Sequence, residues 1–349
     1  MTTGYERVLG SMAGAVIGDA MGTATETMTP RRIVEVYGRL DELVAPDYSP
    51  FSSGRPAGHC SDDSRQMLLL AERFANTGEV TIEQVIDSIL VFASDPVMME
   101  RNTGPTTRVV IQRLLAGDDP MVIGRGDPYH FTGVSNGAST KAGPAGWLNP
   151  GNIVAAVKDV GVICAPSHNT TVALSGAAAV AGGIAAAMVG ATIDEVIGAA
   201  IDASRLGIEL GLEVGREAAG ASVEARILLA VEIARAADNM IDAGAQIGRI
   251  IGGGIQTTEA VPAAFGLFAA AKGDPYQGIV GAVNLGDDTD TVACVTGMLC
   301  GSYAGIDAVP AHWVQTVSEV NDLDLPALAR AVSDRGSTRF AITLTETKE

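Results

Sequence analysis

Glycine recurs at every fourth position of the first predicted helix, which spans residues 4–22. A glycine inside a helix costs about 1 kcal/mol relative to alanine, so several in one helix need a structural reason. Close approach of a second helix is the usual one. These small residues are Gly10, Gly14, Gly18 and Gly22, and a matching set near the other end is Ala293, Gly297, Gly301 and Gly305. The spacing predicts that the two helices cross at short distance and bring the beginning and end of the chain together.

Apolar residues also recur at helical spacing through most of the remaining chain. Aromatic residues make up only 4% of the 349 residues whereas 42 are glycine, which favours closely packed helices over a β-sandwich. Few stretches show the two-residue alternation of a strand, and the best short strand candidate is 340–346, with a frayed tail as the alternative. Further helices are predicted at 64–76, 81–94, 103–116, 152–164, 170–190, 193–206, 223–237, 242–251, 259–272, 275–284, 289–304 and 309–330. We therefore expect an all-α fold in one multi-helix domain over residues 1–349, with a tail from about residue 335.

Residues 44–60 and 117–151 are the longest stretches that resemble loops, and long loops often surround functional sites. Residues 171–191 carry no charge and are long enough to span a membrane. They consist mostly of Ala, Gly, Val and Ser, so a buried central helix is the better interpretation.

The formal net charge of −18 argues against binding to nucleic acid or to an anionic membrane. The four cysteines show no CxxC spacing, which is typical of reduced thiols and not of a zinc site. No secretory signal is evident at the N-terminus. We expect a cytoplasmic protein with neither nucleic-acid nor membrane partners.

Two acidic clusters, Ser61-Asp62-Asp63-Ser64 and Asp287-Asp288-Thr289-Asp290-Thr291, are far apart in the chain. They offer five carboxylates and four hydroxyl groups, the hard oxygen ligands that Mg²⁺ or Mn²⁺ prefers. Each cluster precedes or begins a predicted helix, where the helix dipole favours carboxylates. If the two helix starts face each other, they form a cradle for two metal ions. The alternative is a pair of solvated acidic turns or helix caps.

Three motifs resemble those of the ADP-ribosylglycohydrolase family, which includes the dinitrogenase-reductase-activating glycohydrolases. Residues 18–22 (GDAMG), followed by Glu26, are similar to the GDAxG…E opening of the family. Residues 61–64 (SDDS) resemble its (T/S)DD(T/S) motif, and 282–291 (AVNLGDDTDT) resemble AVNLGGDTDT. Residues 104–108 (GPTTR) are similar to an intermediate segment. The joint occurrence of these motifs in the right order is specific, and the resemblance runs from about residue 5 to 306.

The resemblance implies an all-α fold with a binuclear Mg²⁺ or Mn²⁺ centre. It implies a hydrolase that cleaves the glycosidic bond at the anomeric carbon of an ADP-ribosyl group, on a protein or on a small ribosyl conjugate. The implied catalytic residues are Glu26, Asp62 and Asp63. The implied metal ligands are Ser61, Asp62, Asp63, Asp288, Asp290 and Thr291, and the implied substrate-binding residues are Asn136, Gly137 and His168.

The sequence departs from the family pattern at several points. Asp287 stands where the pattern has a second glycine, and it either faces solvent, supports the site or binds metal. Residues 135–141 only partly resemble the GNGAxMR stretch, with Lys141 near the arginine position. His168 matches a family histidine loosely, and capping of a helix is an alternative role.

These departures keep two other functions open. One is hydrolysis of free nucleosides or other N-ribosides. The other is a non-catalytic role, because the family includes lens crystallins that resemble the enzymes. The intact acidic set disfavours the second alternative, since a purely structural protein has no reason to keep mutually repelling carboxylates.

Overall fold

The computed structural model describes residues 2–101, 103–129 and 132–346. Within these residues it contains α-helices and a short 3₁₀-helix at Ile306–Ala308, and no β-strand. The predicted all-α fold is confirmed. The helices are α1 Gly4–Gly22, α2 Pro30–Tyr37, α3 Asp62–Thr77, α4 Ile82–Ala93, α5 Pro96–Arg101, α6 Pro105–Leu115, α7 Pro120–Gly124, α8 Gly137–Thr140, α9 Gly143–Leu148, α10 Ile153–Cys164, α11 Thr171–Met188, α12 Ile193–Val214, α13 Val223–Ala236, α14 Met240–Ile250, α15 Thr257–Ala270, α16 Pro275–Val283, α17 Thr289–Ala304, α18 Ala311–Asn321 and α19 Leu325–Glu346.

Helices α1 and α17 cross at very short distance, as the glycine spacing predicts. A Cβ on Gly14 would overlap the carbonyl group of Gly297, and one on Gly18 would overlap that of Ala293. A Cβ on Gly10 would lie 2.6 Å from the Gly301 carbonyl oxygen. Because the obstructing atoms belong to backbone, no side chain fits at these positions. The crossing therefore joins the beginning of the chain to a helix near its end.

Helix α11 runs through the core. It is apolar and long enough to cross a membrane, but 94% of its residues are buried inside the protein. Thr170 caps its N-terminus by accepting a hydrogen bond from the amide of Ala173. This confirms the interpretation of the uncharged segment as a buried central helix.

The chain end differs from the predictions in two ways. The single helix predicted at 309–330 is divided into α18 and α19, because Asp322 takes a left-handed conformation (φ 53°) that ends α18. The strand predicted at 340–346 is helical, since α19 continues to Glu346. Arg335 and Arg339 hold this helix by donating hydrogen bonds to the carbonyl oxygens of Ala75 and Gly78 at 2.9 and 3.1 Å. These contacts lie across the fold, so local alternation does not reveal them.

Residues 117–151 are less irregular than predicted, because they contain the short helices α7, α8 and α9. Helix α9 is fully buried and includes Trp147, whose indole donates a hydrogen bond to Ser11 of α1 at 2.9 Å. Burial by neighbouring helices stabilises turns too short to form alone. Helix α12 likewise extends eight residues beyond the predicted end at 206, to Val214.

Candidate functional site

The starts of α3 and α17 meet on one side of a cavity of about 1140 Å³. The chain that follows α1 and the segments that precede α8 and α11 form other parts of its wall. Both acidic clusters therefore face the same space, as predicted. The polar residues that line the cavity include Glu26, Asp62, Asp63, Gln66, Asn136, Lys141, His168, Asp287, Asp288, Asp290 and Thr291.

Hydrogen bonds fix the two carboxylates at the start of α3. Asp63 is buried and accepts from Thr140 at 3.1 Å and from Thr291 at 2.6 Å. Asp62 accepts from Gln66 at 3.0 Å. The Thr291 bond links the two acidic clusters directly, so their side chains share one network.

Ser61 is the N-cap of α3, and its hydroxyl accepts a hydrogen bond from the amide of Asp63 at 3.2 Å. The side chain is 2% exposed, and the residue is absent from the cavity wall among the described residues. Its predicted role as a metal ligand stays a prediction, whereas its role as a helix cap is visible.

Asp19 supports the start of α3, a position that the sequence analysis did not assign to it. It belongs to α1, is fully buried, and accepts hydrogen bonds from the amides of Ser61 and Ser64 at 3.0 Å. Its carboxylate thus satisfies free amides at the N-terminus of α3 from another helix. This interaction sets the position of Asp62 and Asp63. The sequence signal that could have identified it is its place in the GDAMG motif, as an acidic residue in the apolar, glycine-rich second half of α1.

The start of α17 is fixed in a similar way. Thr289 donates a hydrogen bond to the carbonyl oxygen of Gly22 at 2.9 Å and accepts one from Thr25 at 3.0 Å. The amide of Asn136 donates to Asp288 at 2.5 Å. These bonds hold Asp288 and Asp290 at the end of α1, where Glu26 follows.

Among the described residues, Glu26, Asp288 and Asp290 form the tightest acidic group. One carboxylate oxygen from each lies within 4.8 Å of the others, a spacing that suits a shared cation. Asp290 is 7% exposed, and its Oδ1 is buried without a hydrogen-bond partner among the described residues. A buried carboxylate oxygen without a donor is costly unless a cation binds it. The donor set, oxygen only, therefore fits a hard divalent metal ion. The resemblance gave Glu26 a catalytic role, whereas the geometry also makes it a possible metal ligand.

The electrostatics of the cluster agree with this fit. Burial, with the charges of Asp288, Asp63 and Asp19, raises the pKa of Glu26 to about 8. Burial and Asp63 raise the pKa of Asp288 to about 6, against the lowering effect of the Asn136 hydrogen bond. Burial also raises the pKa values of Asp62 and Asp290 well above their ordinary range. The carboxylates oppose one another's ionisation, and a bound cation would relieve that repulsion.

The three predicted substrate-binding residues, Asn136, Gly137 and His168, line the same cavity, with Asn136 directly beside Asp288. A Cβ on Gly137 would lie 3.7 Å from Nε2 of His168. His168 is 1% exposed and is hydrogen-bonded through both ring nitrogens, to Ser135 at 3.0 Å and to Ser167 at 2.8 Å. Burial and Lys141 lower its pKa well below the ordinary value, so the ring is neutral. The capping alternative for His168 is wrong, because Thr170 is the N-cap of α11.

Lys141 lines the same cavity and is 5% exposed. Its ammonium group makes no hydrogen bond or ion pair with any residue in the described ranges. Burial lowers its pKa, an effect that Cys164, Asp63 and Asp62 oppose. A buried cation beside two carboxylates was not foreseen from the sequence, which marked Lys141 only as a departure from the family pattern.

Asp287 is exposed and takes a left-handed conformation with φ of 70°. This explains why a glycine suits the position in related sequences, since glycine adopts positive φ at no steric cost. The amide of Asp287 donates to the carbonyl of Met28 at 2.9 Å, and its carbonyl accepts from the amide of Thr27 at 2.7 Å. Thr27 and Asp287 together form a ridge along one edge of the cavity.

Fold and site together define an all-α protein that presents a buried oxygen-ligand cluster at two helix starts. The sequence model of the ADP-ribosylglycohydrolases matches residues 1–341, so the chain belongs to the ADP-ribosylglycohydrolase family.

Several known proteins are similar to this chain. The chain is 28% identical to the protein YegU of Escherichia coli (strain K12) over 97% of its own length and 99% of YegU. A shorter segment is 32% identical to human ADP-ribosylhydrolase ARH3, covering 22% of this chain and 24% of ARH3. A solved structure described as an ADP-ribosylglycohydrolase-related protein complex superimposes with a TM-score of 0.70, at 23% identity, over 96% of this chain and all of its own. That likeness supports the fold.

Proposed function

We propose that this protein is a metal-dependent hydrolase of the glycosidic bond at the anomeric carbon of an ADP-ribosyl group. The observation that carries the proposal is the convergence of Glu26, Asp288 and Asp290 within 4.8 Å, beside Asp62 and Asp63, in one large cavity. Family membership supplies the class of substrate. The cavity of about 1140 Å³ exceeds the volume of most small-molecule sites, which leaves room for a dinucleotide-sized group.

The carboxylates at the starts of α3 and α17 would hold two Mg²⁺ or Mn²⁺ ions, with Glu26, Asp288 and Asp290 around one of them. Thr291 and Ser61 are further oxygen donors beside this set. When bound, such ions lower the pKa of a water molecule and orient vicinal hydroxyl groups.

The side chains of the protein supply the remaining chemistry of the reaction. The surrounding carboxylates stabilise the positive charge that develops on a ribosyl ring as its glycosidic bond breaks. Glu26 lies beside Asp288 and is placed to hold the attacking water or a ribose hydroxyl group. Asn136 keeps Asp288 in place through its amide, and Gly137 and His168 provide the wall for the diphosphate part of the substrate.

The test compares substrates and metals in one assay. Purified protein, freed of metal with a chelator, is supplied with Mg²⁺ or Mn²⁺ and given peptides ADP-ribosylated on arginine or serine, small ADP-ribosyl conjugates and free nucleosides. We expect release of ADP-ribose only when metal is present, and no hydrolysis of nucleosides. Hydrolysis of nucleosides alone would replace the proposal by the N-riboside hydrolase alternative. Absence of both turnover and metal binding would favour a non-catalytic protein.

The proposal extends to partners and location. The substrate is an ADP-ribosylated protein or a small ribosyl conjugate, which the enzyme meets in the cytoplasm. Its single domain covers residues 1–349.

A further inference from the structure

A second cavity of about 880 Å³ lies on the other side of the ridge formed by Thr27 and Asp287. Helices α2 and α14 and the end of α16 surround it. Its floor is apolar and buried, with Ile33, Val280 and Leu285 between 0% and 5% exposed. Val34 and Ile241 stand on its walls and are 64% and 65% exposed. This volume lies within the range of small-molecule sites, and the exposed apolar walls are what an apolar ligand would cover.

Helix α14 leaves space open toward this cavity. Gly244 lies in the wall within the helix, and no atom stands within 4 Å of a Cβ built on it. By contrast, a Cβ on Gly281 would overlap the side chain of Met240. Gly281 thus has a neighbour, the end of the flexible Met240 side chain, whereas no described atom lies within 4 Å of a Cβ on Gly244. A helical glycine without a packing neighbour costs helix stability, and here its effect is to keep the cavity wide.

Two arginines also line the second cavity. Arg39 and Arg249 are both exposed, and the guanidinium group of neither makes a hydrogen bond or ion pair with the described residues. The chain carries 23 basic against 41 acidic residues, and these two guanidinium groups have no carboxylate partner within the described ranges, so they are free to bind an anion. A guanidinium group binds a carboxylate or phosphate through paired hydrogen bonds. Asp287, at the ridge, would repel such an anion toward the arginine end.

The ridge connects the two cavities. Thr27 and Asp287 line both, and each is the chain neighbour of a residue in the acidic group, Glu26 or Asp288. Both ridge residues have positive φ, 66° and 70°, an uncommon conformation for threonine that the surrounding structure must enforce. Backbone strain of this kind is concentrated at ligand sites. A leaving group still attached to the anomeric carbon beside Glu26 would need only to extend over this ridge to reach the second cavity.

We propose that the second cavity binds the leaving group of the substrate, and that this group is apolar and carries an anionic substituent. The apolar floor contacts the ring or chain of the leaving group, and Arg39 and Arg249 bind its anionic substituent. The identity of the occupant as a leaving group rests on the proposed glycohydrolase function. Binding of an apolar anion in the second cavity does not depend on that proposed function. The enzyme would therefore act on small ADP-ribosyl conjugates and discriminate among them by their leaving groups.

The binding half is tested with two fluorescent probes, the apolar anion 8-anilinonaphthalene-1-sulfonate and the neutral N-phenyl-1-naphthylamine, titrated into native protein. We expect Gly244→Leu to weaken binding of the anionic dye at least tenfold, because the new side chain fills the cavity. Arg249→Ala should weaken the anionic dye roughly tenfold and the neutral dye less than about twofold. Gly198→Leu is the matched control, since Gly198 is also helical with no atom within 4 Å of its Cβ.

Three results would overturn the binding half. Gly244→Leu with native affinity for the dye places the dye elsewhere, provided that its thermal melt matches that of Gly198→Leu. If Arg249→Ala weakens binding of both dyes equally, the arginine charge has no role in binding. Displacement of the dye by ADP-ribose would assign the dye to the first cavity.

The catalytic half compares ADP-ribosyl conjugates whose leaving groups are 4-hydroxybenzoate, phenol and methanol. We expect wild-type protein to prefer 4-hydroxybenzoate in kcat/KM. Gly244→Leu should reduce the preference for the aromatic groups over methanol tenfold or more. Arg249→Ala should reduce the preference for 4-hydroxybenzoate over phenol. Unchanged ratios in both variants overturn the assignment. If wild-type protein hydrolyses no conjugate but binds the dye as described, the proposed function fails together with the leaving-group assignment, and the anion-binding cavity stands.

Discussion

Burial makes each carboxylate of the site energetically unfavourable on its own, so the carboxylates have to be explained together. Asp19, Asp63 and Asp290 are each at most 8% exposed, and burial raises the pKa of all three. Hydrogen bonds compensate Asp19 and Asp63, but Oδ1 of Asp290 has no donor among the described residues. Such perturbed carboxylates are concentrated at functional sites, and a bound cation would relieve their repulsion. Single substitutions can therefore separate residues that bind metal from residues that only support them.

Asp290→Asn keeps the shape of the side chain and removes its charge. We expect kcat to fall about 100-fold or more and Mn²⁺ affinity to fall with it, because a charged ligand becomes a neutral one. The metal-free protein should fold as well as wild type, since the substitution keeps the shape of a carboxyl group whose ionisation the buried site opposes. Kinetics and isothermal titration calorimetry with Mn²⁺ measure these effects. Asp307→Asn, at an exposed aspartate outside both cavities, is the control. Near wild-type turnover in Asp290→Asn would mean that Asp290 is not a ligand.

Removing the charge of Lys141 should change the metal affinity in the opposite direction. Its buried ammonium group adds positive charge beside Asp62 and Asp63, which disfavours a second cation but favours an anionic substrate. Lys141→Met should tighten Mn²⁺ binding several-fold and weaken ADP-ribose binding by roughly tenfold. Lys141→Arg, which keeps the charge, should restore substrate affinity at least in part. Equal loss of both affinities in Lys141→Met would indicate a packing role.

Among the helices, the crossing of α1 and α17 is the element that assembles the site. It brings the end of α1 against the start of α17, so that a Cβ on Gly22 would overlap the backbone of Asp290. The four-residue spacing predicts this crossing because small side chains along one face of each helix allow the two backbones to approach closely. The spacing of apolar residues likewise predicts the longer helices. Short helices such as α8 and α9 are stabilised by tertiary burial, and their sequences carry no sufficient local pattern.

The crossing is tested by the smallest possible substitution. Gly14→Ala places a methyl group against the Gly297 backbone, which cannot yield as a side chain can. We expect a loss of roughly 2 kcal/mol or more in the free energy of unfolding, and weaker Mn²⁺ binding because α17 carries Asp290. Gly198→Ala, where the space is open, should be neutral or stabilising by up to about 1 kcal/mol. Thermal melts of both variants, with and without Mn²⁺, provide the comparison. Equal stabilities would contradict the role assigned to the crossing.

Across the whole molecule, the site joins parts of the chain that are remote in sequence. The acidic motifs at 61–64 and 287–291 were identifiable in advance because their residue types and family resemblance are local. The grouping of Glu26 with Asp288 and Asp290, and the support from Asp19 and Lys141, depend on how helices pack. Such relations require a three-dimensional structure, since nothing in local spacing encodes the distance from residue 26 to residue 290.

Because the ligands come from both ends of the chain, bound metal should stabilise the entire fold. A ligand that binds only the folded state at 100 times its Kd adds about 2.7 kcal/mol. We therefore expect Mn²⁺ or Mg²⁺ to raise the Tm by several degrees, and a chelator to reverse the rise. Calorimetry should give two ions per chain for wild-type protein. Asp290→Asn should lose most of the Tm shift, whereas Gly198→Ala should keep it. Because calorimetry counts ions directly, one ion per chain in wild-type protein would contradict the binuclear centre and restrict metal binding to Glu26, Asp288 and Asp290.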